Sequence, residues 1–476
     1  MAVNASTAIV RLALPKGRLL TQTAELLTAS GLGFANYNSK TRTYRLQSDT
    51  VPGLIAKMLN ERDIPVQVAI GNYDFGICSS DWLQELLFRY PSSRVYKLAD
   101  LTYDLSSIYL ACHAGTILTP EDITSSDKNW RIVTEYPALA EAAACRMRLK
   151  RFHIFPLWGA ADAYPPENAD FAVLKAADGE DLYSMNLRPV RRICASNACV
   201  IANRDNLESG DLSMMLTLLS KLVSSQTVHQ TDAEKKTAVR RKDAAYRPSQ
   251  RKVWLALPDG HQQVHAINFL QKAGIRLEGY SQDNLQRRPS SNFDWLNIKV
   301  IRPQDMPQQV ANGNFDLAIT GSDWLLDHLY QFPSSPVEKL LDLGFGKVRI
   351  VAVTAEKVPA TSIEDIKKLI ATGKMTTLRI ASEYINIADR YLRDRHIQRY
   401  RVIPTWGATE VYLPEDADML IENTETGQTL AWHKLKILDT LFESTACLIG
   451  NSRSLSLPYK RRKIDKLVSI FKEAAS

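Results

Sequence analysis

Asp418-Met-Leu-Ile-Glu-Asn-Thr-Glu-Thr-Gly-Gln-Thr-Leu430 passes from an apolar run into a small polar loop and then into a segment with helical character. Met419, Leu420 and Ile421 suit the buried end of a parallel strand. Thr424, Glu425, Thr426, Gly427, Gln428 and Thr429 form the loop, and Leu430 to Leu435 reads as the helix that follows. Strand, polar loop and helix is an arrangement with which α/β proteins hold a phosphate. The helix start offers free N–H groups and a positive dipole end. Gly427 permits close backbone approach, and Thr426 and Thr429 add hydroxyl donors. Asp418 and Glu422, four apart, are read as flanking the strand end, where carboxylates suit ribose hydroxyls or magnesium.

Working outward, the chain proves to be an internal repeat. Leu12-Ala-Leu-Pro-Lys-Gly-Arg18 returns as Leu255-Ala-Leu-Pro-Asp-Gly-His261. The stretch Gly71 to Leu83 returns as Gly313 to Leu325, sharing Asp74/Asp316, Asp81/Asp323 and Trp82/Trp324. Arg131-Ile-Val-Thr-Glu-Tyr136 returns as Arg379-Ile-Ala-Ser-Glu-Tyr384, and Cys199-Val-Ile-Ala-Asn203 as Cys447-Leu-Ile-Gly-Asn451. The spacing between matches grows by about six residues along the chain, which places a lengthened helix between residues 355 and 377. Residues 1–223 are thus the first repeat, 224–250 a linker and 251–476 the second repeat.

With 476 residues, 45% of them apolar and 23% charged, the chain has the composition of a multi-domain globular protein. No apolar run reaches the ~18 residues of a membrane span. The start of the chain has no basic residue before Arg11 and no long apolar core, so no secretory leader is expected. Six cysteines form no CxxC pair or metal spacing, and free, mostly buried thiols in a cytoplasmic protein are expected. The net charge of +7 is concentrated in residues 224–252, with eight basic side chains against three acidic ones. That segment is polar and poor in aromatics, and reads as a linker or a solvated helix rather than a nucleic-acid surface.

Within each repeat, strands and helices alternate. In the first, Ile9–Leu14, Asp74–Cys78, Arg131–Val133 and Phe171–Leu174 are predicted strands. Leu19–Ser30, Thr50–Asn60, Trp82–Arg89 and Pro137–Arg148 are predicted helices. This implies an α/β fold of two lobes per repeat, with parallel or mixed sheets and ligands at the carboxyl ends of strands.

These residues resemble the ATP phosphoribosyltransferase family. Leu14-Pro-Lys-Gly-Arg-Leu19 is similar to the family's opening motif. Gly313-x-x-Asp316-x-x-Ile319-x-Gly321-x-Asp323 is similar to its second motif, as is the first repeat's Gly71 to Asp81. Asp342-Leu-Gly-Phe-Gly-Lys-Val-Arg349 and Glu425-Thr-Gly-Gln-Thr-Leu430 complete the series. The resemblance covers both repeats, each like the short catalytic form, within a fold resembling the type II periplasmic-binding-protein-like one. It implies condensation of ATP with phosphoribosyl pyrophosphate, the first step of histidine biosynthesis. A non-catalytic nucleotide sensor is the alternative. It further implies magnesium, an internal pseudo-dimer and homo-oligomers, a regulatory subunit, and no nucleic-acid or membrane partner. Lys16, Arg18, Arg302 and Arg349 are the expected catalytic cations. Asp418, Glu422, Gly321, Asp323 and the loop Thr424–Thr429 are the expected substrate-binding residues. Glu410 and Asp418 are the expected magnesium ligands.

The repeats diverge reciprocally. The first keeps Lys16, Gly17 and Arg18 where the second has Asp259, Gly260 and His261. The second keeps the 424–429 loop where the first has Ala176-Ala-Asp-Gly-Glu-Asp181, whose carboxylates repel a phosphate. The second repeat is therefore expected to hold substrate. His261 and His265, four apart, lack a third ligand and read as a solvated face. Retention of Trp82/Trp324 and Trp158/Trp406 in both repeats suggests packing.

Overall fold

The computed structural model describes residues 9–41, 43–116, 118–209, 212–224 and 252–475. The predicted linker falls outside the described residues except for Ser224, the last residue of the helix Leu212–Ser224. The chain divides into two compact units. Unit 1 is Met1–Pro156, Tyr164–Tyr246 and Trp406–Val411, and unit 2 is Leu157–Ala163, Arg247–Thr405 and Tyr412–Ser476. The units follow the repeats except for one short segment from each, which groups with the opposite unit.

Unit 1 has two sheets. The first runs in the order Arg45–Gln47, Leu54–Asn60, Val10–Lys16, Phe75–Ser79, Ala198–Asn203, Val95–Asp100. Its second sheet is Leu187–Ser196, Ser106–His113, Phe171–Ala176, Trp130–Thr134, Phe152–Pro156. The chain leaves the first sheet after Asp100 and returns after Ser196, so two crossovers join the lobes. Pairings within each sheet are mixed. Val10–Lys16 pairs in parallel with Leu54–Asn60 and Phe75–Ser79, whereas Ala198–Asn203 runs antiparallel to its neighbours.

In unit 2 the plan is repeated. One sheet runs Leu296–Ile301, Val253–Pro258, Leu317–Gly321, Ala446–Asn451, Val337–Asp342, with the hairpin Leu277–Tyr280/Leu285–Ser291 beside it. The other runs Tyr400–Pro404, Leu378–Ser382, Met419–Thr424, Val348–Ala355, Leu435–Ser444. The added residues of this repeat lie where expected. Helix Ile363–Ala371 stands where the first repeat has the shorter Pro120–Ser125.

Burial explains the apolar runs. Every residue of Phe75–Ser79 and Leu317–Gly321 is buried, because helices cover both sheet faces. Helix Ile385–Asp394 buries Ile387, Ala388, Tyr391 and Leu392, the one-face spacing of an amphipathic helix. Trp82 packs on Tyr136 with ring centroids 4.4 Å apart, and Trp324 on Tyr384 at 4.3 Å, as packing roles predict. The six cysteines are free; Cys78, Cys112, Cys199 and Cys447 are buried. Among the described residues no helix is long and apolar enough to cross a membrane.

One predicted element is corrected. Residues 50–60 are not a helix: a turn at Pro52-Gly53 leads into the strand Leu54–Asn60. Gly53 has φ +83°, a left-handed value that breaks helical continuity. The segment is short enough for parallel pairing with Val10–Lys16 to decide its conformation.

Candidate functional site

Several motif residues of the second repeat stand at the carboxyl ends of strands. Asp259 follows Val253–Pro258, Arg302 follows Leu296–Ile301, and Gly321 ends Leu317–Gly321. In the other sheet, the polar loop begins at Thr424, the last residue of Met419–Thr424. Open α/β sheets place ligands at such ends.

The loop closes on itself through its threonines. The Gly427 N–H donates to Thr424 Oγ1 at 3.0 Å, and the Gln428 N–H to Thr426 Oγ1 at 3.4 Å. Gly427 sits at φ +79° immediately before the helix Gln428–Trp432, a conformation that L side chains rarely adopt. Glu425, Thr426, Gln428 and Thr429 are exposed. Arg349, on the neighbouring strand and in register with Thr424, brings Nη2 to 4.0 Å from where a Cβ on Gly427 would stand. A guanidinium thus lies beside the threonine-rich loop, a combination suited to a phosphate.

A polar chain ties the two sheets together behind this loop. Tyr384 Oη donates to Asp323 Oδ2 at 2.6 Å and accepts from Asn423 Nδ2 at 2.8 Å. Ser444 Oγ donates to Asp323 Oδ1 at 2.8 Å. Burial, reinforced by Asp323, raises the Tyr384 phenol well above its ordinary range, so it stays a neutral donor. Gly321 is needed here because a Cβ would lie 2.0 Å from Asp323 Oδ1. Sequence reasoning found Gly321 and Asp323 but missed Tyr384, Asn423 and Ser444. Tyr384 was visible as part of the repeated Arg-Ile-x-x-Glu-Tyr motif.

Other expected residues stand elsewhere. Asp418 precedes the strand Met419–Thr424, at the end opposite the loop, where its carboxylate is taken by Arg379. The Arg379 N–H reaches Oδ2 at 2.8 Å and Nη2 reaches Oδ1 at 2.9 Å. Asp170 and Arg131 make the same pairing in the first repeat, so it anchors a strand. At ~3.3 Å per residue, Asp418 and Glu422 are about 13 Å apart along the strand and do not share a ribose or an ion. Glu410 belongs to unit 1 and Asp418 to unit 2. No cluster of three metal-ligating side chains occurs among the described residues. The Arg379 pairing leaves the Asp418 carboxylate engaged rather than open to a cation.

The cations are distributed as follows. Lys16 Nζ donates to Tyr44 Oη at 3.0 Å within unit 1. Arg18 pairs with Glu61 at 2.9 Å and with Asp104. In unit 2, Asp259 is buried and accepts from Arg287 at 3.0 Å and Arg302 at 3.4 Å. The charge reversal at Asp259 is thus offset locally by two guanidiniums. Arg287 was not foreseen, because it lies in the hairpin outside any motif.

The first repeat's counterpart of the loop is filled from within. Asp178 Oδ1 accepts from the N–H of Glu180 at 2.8 Å and of Asp181 at 3.1 Å. Asp181 Oδ2 accepts from the Ala177 N–H at 3.1 Å. Asp178 takes the N–H that Thr426 takes in the second repeat, and so puts negative charge where the other loop has a hydroxyl.

A family profile described as HisG: ATP phosphoribosyltransferase matches residues 60–224 and 302–473. An ATP phosphoribosyltransferase of Chlorobaculum parvum is 34% identical over 225 residues, which make up 46% of this chain and 70% of that protein. One from Prosthecochloris aestuarii is 35% identical over 225 residues, with the same coverage. Among solved structures, the ATP phosphoribosyl transferase (HisG:HisZ) complex from Thermotoga maritima aligns with 47% of this chain and 98% of its own, at 23% identity and a TM-score of 0.38.

Proposed function

Because the chain belongs to the ATP phosphoribosyltransferase family of phosphoribosyl-transferring enzymes, we propose that it condenses ATP with 5-phosphoribosyl 1-pyrophosphate in its second repeat. The product is N1-(5-phosphoribosyl)-ATP, with pyrophosphate released, as the opening step of histidine biosynthesis. The observation that carries this reading is the contrast between the loops. Thr424–Thr429 faces Arg349 and has Gly427 at a positive φ, whereas the first repeat's loop is occupied by its own aspartates.

In this reaction the adenine N1 attacks C1 of the sugar and the C1–O bond to pyrophosphate breaks, with inversion at C1. Positive charge spreads over C1 and the ring oxygen while the leaving group gathers negative charge. The work is therefore positioning and charge neutralisation. The loop holds the 5-phosphate, with Arg349 facing it. Asp259 orients Arg287 and Arg302, and Asp162 also approaches Arg287 at 3.7 Å, so these guanidiniums reach the phosphates of ATP or the leaving pyrophosphate only by exchanging carboxylate partners. Glu422, near the loop end of its strand, faces the ribose hydroxyls. Magnesium belongs to this reading as part of the pyrophosphate substrate, and no resident site is assigned to it.

The same pairing of Asp259 with both guanidiniums favours a second reading, a nucleotide-sensing paralogue whose cations are too well neutralised for turnover. One assay separates the two. The purified chain is incubated with ATP, phosphoribosyl pyrophosphate and magnesium, alone and with candidate regulatory subunits. Phosphoribosyl-ATP and pyrophosphate are expected in equal amounts; neither appearing under any condition sinks the enzyme reading.

A further inference from the structure

The first repeat contains a charge network that the proposed reaction does not use. Lys175, on the strand Phe171–Ala176 of the second sheet, places Nζ 2.7 Å from Asp104 Oδ2, 3.2 Å from Asp81 Oδ2 and 2.5 Å from Ser79 Oγ. Ser79 ends a strand of the first sheet, Asp81 opens the helix after it, and Asp104 lies in the crossover. One ammonium thus joins both lobes of unit 1 and a crossover between them. Arg18 continues the network through Asp104 and Glu61. The Lys175 side chain is only 16% exposed, so its charge needs these carboxylates.

The second repeat lacks the same members as a set. Lys175 corresponds to Asn423, Asp104 to Gly346, Arg18 to His261 and Glu61 to Pro303. The acceptor remains, since Asp81 corresponds to Asp323 and Tyr136 donates to Asp81 as Tyr384 does to Asp323. Asp104 also keeps a backbone that suits glycine, with φ +59° against +63° at Gly346. A non-glycine residue held there is disfavoured unless its side chain gains something, here two cationic partners. Asn423 is exposed, whereas Lys175 is half-buried.

We propose that Lys175 is a built-in ligand that holds the first repeat's cleft closed, and that a lysine at this position is sufficient to bar the phosphorylated sugar, whereas Asn423 lets the second repeat admit it. Lys175 ties strand to helix start across the cleft, and Asp178 and Asp181 fill the anion donors beside it. The first repeat is thereby self-liganded at both its cationic and its anionic positions. Asn423 leaves Asp323 bonded to neutral donors only. The second half of the proposal rests on the phosphoribosyl reading; the first half does not.

The test uses the full chain and two measurements. Ligand-free hydrogen exchange is followed in peptides covering 79–82 and 101–106. Lys175→Asn and the isosteric Lys175→Met should speed exchange there about tenfold, with peptides covering 322–325 unchanged. In Lys175→Ala, n-propylammonium should restore protection and tetramethylammonium should not, a response that simple packing loss would not produce. Unchanged exchange in the folded variants overturns the latch, as does equal rescue by both ions. Titration with phosphoribosyl pyrophosphate then tests selection. Asn423→Lys should weaken binding at least tenfold, and Lys175→Asn should leave turnover unchanged. Undiminished affinity in Asn423→Lys overturns selection. If the wild type binds no phosphoribosyl pyrophosphate while the exchange result holds, the proposed function fails and the latch stands.

Discussion

Gly427 carries the most demanding requirement at the scale of single residues. Its φ of +79° is a conformation that a residue with a Cβ adopts only with strain. Gly427→Val should weaken phosphoribosyl pyrophosphate binding by about 1.4 kcal/mol or more, a factor of ten. Gly179→Val, at the matching place in the first repeat, should leave affinity unchanged, because that loop is filled by its own aspartates. Calorimetric titration of both variants checks this, and equal losses would mean that the first repeat also binds. A second residue gives a pH signature. Burial lowers His328 from 6.5 to about 4, and its ring bonds to Ser335 at 2.7 Å. Between those values the unfolded chain binds the proton and the folded chain does not, so His328 makes stability fall as pH drops from 6.5 toward 4. Discounted for partial solvent access, the effect is about 1–2 kcal/mol. Urea midpoints at pH 7 and 4.5 should diverge less in His328→Gln than in the wild type.

Elements show what the sequence made legible and where it misled. The strand Met419–Thr424, its loop and its helix were readable because apolar run, glycine and threonines sit in one contiguous stretch. Strand Leu54–Asn60 was not, because a seven-residue run with five apolar side chains spread over both faces fits a helix or a buried strand equally, and only pairing with Val10–Lys16 decides. Asp418 misled for a related reason. A carboxylate four residues from Glu422 lies one turn away on a helix but at the opposite end of a strand, where Arg379 takes it. The polar chain Asp323–Tyr384–Asn423 was hidden because its members come from three separate elements. The anchoring role of Asp418 is testable. Arg379→Met and Asp418→Asn should each cost about 1–2 kcal/mol of stability, given partial exposure of the pair, and the double variant should cost less than their sum. Affinity for phosphoribosyl pyrophosphate should not change; a tenfold loss in Asp418→Asn with normal stability would return that residue to the site.

Across the whole chain, duplication has let two equivalent clefts solve opposite problems. Asp81 and Asp323 occupy matching places with matching tyrosine donors, yet one is neutralised by Lys175 and the other is not. A buried carboxylate without a cation is costly unless hydrogen bonds or a ligand compensate it. The second repeat meets that cost with Tyr384 and Ser444, and so keeps a cleft lined by donors. The first meets it with an internal ammonium and closes. Its loop follows the same logic, because Asp178 and Asp181 satisfy N–H groups that would otherwise attract an anion. Both substitutions act against the same substrate at different ends, so losing either one alone would not recreate a second site. Binding of phosphoribosyl pyrophosphate should therefore saturate at one per chain in the wild type and remain at one in Lys175→Asn, since the acidic loop still excludes the 5-phosphate. Isothermal titration with an independently measured protein concentration decides it. A stoichiometry of two in the wild type removes the single-site account. A rise to two in Lys175→Asn alone would show that the lysine, without the aspartates, keeps the first repeat empty.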